Sequence, residues 1–158
     1  MRLALLLLLA LPLSAAAQPY APTPAERDAI MEPILTLFDG MRAADSSAVR
    51  SAIHPKSRLL RVGTNREGVI GVHETPVDRF VAAMAGDHEV YDERLGDAQI
   101  AVDGDLATVW VPYAFYLGDT FSHCGTNAFQ LARLDGAWQI IHTVDTSRQD
   151  NCDPSIDD

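Results

Sequence analysis

The chain has 158 residues, 47% of them hydrophobic, and sets 22 acidic side chains against 12 basic ones for a formal net charge of −10. That length suits a leader and one domain with a single core. With Lys56 the only lysine and no basic patch, a nucleic-acid partner is excluded, and the acidic surface favours solubility and deters anionic partners.

Residues 1–17 read as a secretory signal peptide: a basic start at Met1-Arg2, an apolar run to Leu13, and Ala15-Ala16-Ala17 as the cleavage site. The run is shorter than the roughly 20 residues that span a bilayer. No cysteine follows the cleavage site to carry a lipid. The mature protein is therefore expected in the periplasm or outside the cell, with no membrane association after cleavage. Residues 18–152 read as one domain and 153–158 as an acidic tail expected to fray.

After a Pro-rich arm, Thr23 and Glu26 form a capping box around Pro24, and Ile30, Ile34, Leu37, Phe38 and Met41 give a helix with an apolar face. Pro33 either kinks that helix or marks its start. A second helix runs over 46–53 with Asp45 as its cap, ended by His54-Pro55. Residues 58–62 and 69–72 read as short strands around a turn. Thr75-Pro76 opens a third helix through Val77, Phe80, Val81 and Met84, which Gly86 ends. The pattern then changes to period two. Residues 90–102, 107–117, 121–134 and 138–147 read as four strands, with Asp103-Gly104 and Asp135-Gly136 as hairpin turns. The fold class is α+β, with three N-terminal helices packed on one face of a curved antiparallel sheet.

A two-residue turn at Asp135-Gly136 sets Cys124 opposite Ser147. Cys152 lies five residues further on, close enough to curl back. A Cys124–Cys152 disulfide is expected, stabilising by roughly 3–4 kcal/mol through loop closure. The absence of C-x-x-C argues against a redox role. His123, Cys124, His142 and Cys152 match no metal-site spacing, so no metal is assigned, and no motif calls for a cofactor.

The same register places Asn127, Phe129, Leu131, Trp138, Ile140, His142 and Val144 on one face, mostly apolar and so turned to the helices. Gln130, Thr143 and Asp145 fall on the other. A single bulge would reverse the faces beyond it. His142 reads as a general base or ligand partner, or else as a satisfied histidine at the core edge. Asp145 is a pocket acid or the partner of Arg148. Asn127 and Tyr113 are further pocket candidates; Tyr113 and Tyr116 sit on opposite faces of one strand. His54 suits a helix end. Arg58, Arg61 and Arg66 gather at a pocket mouth or form a solvated edge.

The run Leu131-Ala132-Arg133-Leu134-Asp135-Gly136-Ala137-Trp138-Gln139-Ile140, with Phe38-Asp39-Gly40 and Ile53-His54-Pro55 earlier, resembles the nuclear transport factor 2-like superfamily. It is most similar to small exported bacterial members described as SnoaL-like or lumazine-binding-like. The resemblance implies a cone-shaped α+β fold, a pocket between sheet and helices, and a homodimer formed through the sheet. It does not imply one activity. Where the steroid isomerases of the superfamily carry a pocket acid, this chain has Gln130. Their tyrosine and base fall near residues 35–37 and 60–61, so that catalytic set is absent. The isomerase register would turn Gln130, Thr143 and Asp145 to the pocket. The expectation is an exported protein binding a small apolar ligand. The alternatives are an acid–base enzyme using His142 or Asp145, and an assembly module acting through its sheet face.

Overall fold

Thr23 Oγ1 accepts from the Glu26 amide at 3.3 Å while Glu26 Oε2 accepts from the Thr23 amide at 3.0 Å, so the expected capping box starts helix α1 (Pro24–Arg42). This is a computed structural model, and it describes residues 20–64, 67–86, 88–153 and 156. The leader expected over 1–17 lies outside them. Pro33 sits inside α1, buried, rather than at its start. Asp45 caps α2 (Ser46–Ala52), and α3 (Val77–Ala83) follows Pro76.

Seven strands make the sheet: β1 (Ile53–Thr64), β2 (Ile70–Thr75), β3 (Tyr91–Leu95), β4 (Gln99–Asp103), β5 (Leu106–Leu117), β6 (Thr120–Leu134) and β7 (Ala137–Thr146). Their order is β2-β1-β7-β6-β5-β3, with β4 also paired to β5. The helices pack on one face, as expected. The sheet is mixed rather than wholly antiparallel, because β7 lies parallel to β1. The strand expected over 90–102 is two strands. At the break, Pro112 on β5 has no N–H to donate, and Gly96 lies so close to Ile156 that a Cβ would stand 3.1 Å from its side chain. Ile30, Ile34 and Phe38 of α1 meet Val109, Val111, Phe129, Leu131 and Ile140 of the sheet to form the core, with Phe38 edge-on to Phe129 at 6.2 Å.

The hairpin between β6 and β7 decides which side chains face the helices. Its turn is as expected: Asp135 at φ 52° and Gly136 at φ 86° link Leu134 to Ala137. The ladder then slips. Leu131 faces Ile140, but Gln130 faces His142, so a bulge adds one residue to β7. Beyond it the faces reverse. Thr143 and Asp145 join Phe129 and Asn127 on the helix side, and His142 turns away with Gln130. The bulge also sets Cys124 opposite Arg148 rather than Ser147.

Both ends of the described chain are tied down. The Tyr20 carbonyl accepts from the Val102 amide at 2.9 Å, extending the β4 edge. Cys124 and Cys152 form the expected disulfide, with Cα atoms 5.7 Å apart. Ile156, in the stretch expected to fray, is buried near Gly96 and Pro112.

Candidate functional site

Between the helices and the sheet lies a cavity of about 280 Å³. Its walls are mostly apolar: Leu37, Phe38 and Met41 from α1, Ile53 and Leu59 from β1, Phe80 from α3, and Phe129 from β6. Helical spacing puts the first three on one side of α1. Polar groups gather on the strands opposite: Arg61, Glu93, Asn127, Thr143 and Asp145, with His73 and Thr75 of β2 alongside.

Glu93 belongs to the period-two row Tyr91, Glu93, Leu95, whose other members pack against the core. The next residue faces the other way. Asp92 binds Arg42 of α1 at 2.8 Å and Arg94 at 2.9 Å, which ties β3 to the helix. Asn127 Nδ2, on a residue only 4% exposed, donates to Glu93 Oε1 over 2.7 Å. Burial pushes the Glu93 carboxyl up to about 8. The Asn127 hydrogen bond and Arg61 pull it down, and the charge of Asp145 pushes it further up. At neutral pH it holds a proton.

Asp145 takes the Arg61 guanidinium through Nε and Nη2, each 2.7 Å from Oδ2. Burial raises the Asp145 carboxyl, against the pull of Arg61. Burial likewise works against the Arg61 charge, and Asp145 more than restores it. Tyr113 stands behind this pair rather than lining the cavity. Its hydroxyl donates to the Thr146 carbonyl at 2.8 Å, and burial raises it, followed by the charges of Glu93 and Asp145. Its ring passes over Gly125, where a Cβ would lie 2.7 Å from the ring and collide with the Thr146 carbonyl. Edge-on to Tyr113 is His123, lowered by burial and then by Arg61. The Thr143 hydroxyl is buried on the cavity wall without a hydrogen-bond partner.

Asn127 and Asp145 thus lie together in the cavity wall, and Tyr113 supports them. His142 is not among the lining residues, because the β7 bulge turns it outward. There it borders a second, more open pocket of about 520 Å³ with Gln99, Thr108, Trp110 and Gln130. Asp145 pairs with Arg61 instead of Arg148. Arg58 pairs with Glu74 at 3.0 Å, and Arg66 lies outside the described residues. His54 accepts from the Lys56 amide at 3.2 Å, close behind α2. The isomerase register, which turned Gln130, Thr143 and Asp145 to the pocket, holds for Thr143 and Asp145 and fails for Gln130. Glu93 was not singled out in the sequence, although it had a signal, as an acid at an inward slot between Tyr91 and Leu95. Among the described residues, no group of three His, Cys, Asp or Glu side chains is arranged to hold a metal.

The family model described as "Putative lumazine-binding" matches residues 25–144. Solved structures share the fold at low identity. A nuclear transport factor 2-like protein of unknown function from Shewanella baltica is 18% identical, with TM-score 0.63, covering 82% of this chain and 100% of its own. A protein of unknown function with a cystatin-like fold from Nostoc punctiforme is 14% identical, with TM-score 0.62, over 85% of this chain and 96% of its own. A function-unknown protein from Mycobacterium tuberculosis reaches TM-score 0.65 at 17% identity, over 84% of this chain and 82% of its own. No curated protein sequence matches the chain.

Proposed function

Since the chain belongs to the lumazine-binding-like family of the nuclear transport factor 2-like superfamily, we propose that it is an exported protein that binds a small molecule between its helices and its sheet. The observation that carries this reading is the cavity itself: an apolar chamber of about 280 Å³ with convergent polar groups on one side. The leader-like residues 1–17 and the disulfide support export. Half-exposed Trp110, directly across from Ala128 on the outer sheet face, supports pairing of two copies there.

The test is to purify the protein from its own exported compartment, denature it, and identify released small molecules by mass spectrometry. The control is Leu37→Trp, which fills the cavity. A molecule released by the wild type and missing from the variant is the expected result. Equal release from both overturns the reading. Lumazine, named in the family description, is the first defined probe for titration.

A second reading, acid–base catalysis, is favoured by one observation. Glu93 keeps a proton while the neighbouring Asp145 is ion-paired to Arg61, setting two carboxyl groups in unlike surroundings in one chamber. Deuterium exchange beside the carbonyl of cyclohexanone, lost in Asp145→Asn, would support it. No exchange above the buffer rate counts against it.

A further inference from the structure

The wall of the cavity holds two carboxyl groups, Glu93 and Asp145, and one guanidinium, Arg61. Arg61 is committed to Asp145 through two nitrogens. Glu93 has only an uncharged amide on Oε1, and no cation contacts it among the described residues. Carboxylates drawn out of water, as the part-buried Glu93 is, are seldom left without a counter-charge, because desolvation costs more than an amide returns. We propose that the missing charge is supplied by the ligand, and that the cavity selects an organic cation, an ammonium group on an aromatic or aliphatic body. This rests on the reading of the cavity as a small-molecule site.

Four further features fit an ammonium. It offers several N–H donors, and the Thr143 hydroxyl is a buried acceptor on the same wall with no partner. Phe38, Phe80 and Phe129 line the chamber and present rings to a cation. The body of the ligand meets Leu37, Met41 and Leu59. The formal net charge of −10 draws cations and repels anions. When the chamber is empty, a proton on Glu93 takes the place of the ligand's charge, which agrees with the carboxyl being pushed up to about 8. The charged and titratable groups around Glu93 are Asp145, Arg61 and Tyr113. His123 stands beyond Tyr113 and His73 on β2. Seating the cation should release the Glu93 proton.

The experiment is calorimetric titration of the mature protein at pH 7 with 2-phenylethylamine and with 2-phenylethanol, its uncharged counterpart. Two buffers of different ionisation enthalpy count the protons. The amine should bind at least about tenfold tighter and release close to one proton per site, an ordinary size for one well-placed charge contact. Glu93→Gln should remove both the preference and the proton release while keeping weak binding of the alcohol. If the alcohol binds as tightly as the amine, or the amine binds without releasing a proton, the cation inference is overturned and the binding cavity stands. Glu93 would then act as a hydrogen-bond donor to a neutral ligand. If neither compound binds, the binding reading falls with it. The wild-type preference and proton count decide the matter even if Glu93→Gln does not fold.

Discussion

Asn127 Nδ2 donates to Glu93 Oε1 across 2.7 Å, so a buried amide on β6 holds a carboxyl on β3 that faces the helices. The two strands are not neighbours; β5 lies between them. The contact bridges over that strand inside the chamber and joins the site's polar cluster to the fold.

Stability should fall as pH rises from about 4.5 to about 8, in the part that Glu93 controls. Its carboxyl is raised from the ordinary 4.5 to about 8. Over that interval the folded chain holds a proton that the unfolded chain has given up, so rising pH favours unfolding. Up to about 5 kcal/mol is at stake. Glu93→Gln keeps an acceptor for Asn127 and removes the titration. Denaturant melts at pH 5 and pH 9 should show the variant gaining on the wild type at the higher pH. Parallel curves across that range would contradict the assignment.

Arg61 pulls down both carboxyls in the chamber. Replacing it by glutamine should raise the titration of Glu93 and of Asp145 together, which carbon-13 NMR of the side-chain carboxyls would record. A rise at Asp145 alone would mean that Arg61 does not reach Glu93.

Much of this architecture was legible in the chain. The capping box at Thr23 and Glu26, the Asp135-Gly136 hairpin and the helical row from Ile30 to Met41 are local signals, and each holds in the fold. The cavity was legible only in part. Asn127 precedes the bulge and kept its face. His142, Thr143 and Asp145 follow it and exchanged theirs, since one extra residue reverses every side chain beyond it. The one break in alternation there is the apolar pair Ile140-Ile141, which does not by itself say that a residue is inserted; the slip shows in the pairing. The break at Gly96 depended in the same way on residues distant in sequence, Pro112 and Ile156.

Replacing Cys124 and Cys152 together by serine should cost about 3.5 kcal/mol, the loop-closure value for a bond across 28 residues. Urea melts of the oxidised wild type and the double variant give the difference directly. A loss under about 1 kcal/mol would mean that the antiparallel bridge between Cys124 and Arg148 already holds the tail.

Gly125→Ala should be among the most damaging single methyl additions, at about 3 kcal/mol or more. The new carbon would meet the Tyr113 ring and the Thr146 carbonyl, and two strands would have to part to admit it. Thermal melting compared with Tyr113→Phe, which loses only the hydrogen bond to Thr146 at about 1 kcal/mol, separates crowding from bonding.

Tyr20 is bonded to Val102 on β4, and Ile156 rests near Gly96 just after β3. These points are six residues apart on one edge, roughly 20 Å at strand rise. A linker of about ten residues would join them. The chain could then be reopened at the exposed Gly118-Asp119 hairpin to give a circular permutant with β6 leading and the chamber's wall intact. Such a permutant would reverse the order in which β5 and β6 emerge during synthesis, separating what the fold needs from what its present chain order supplies.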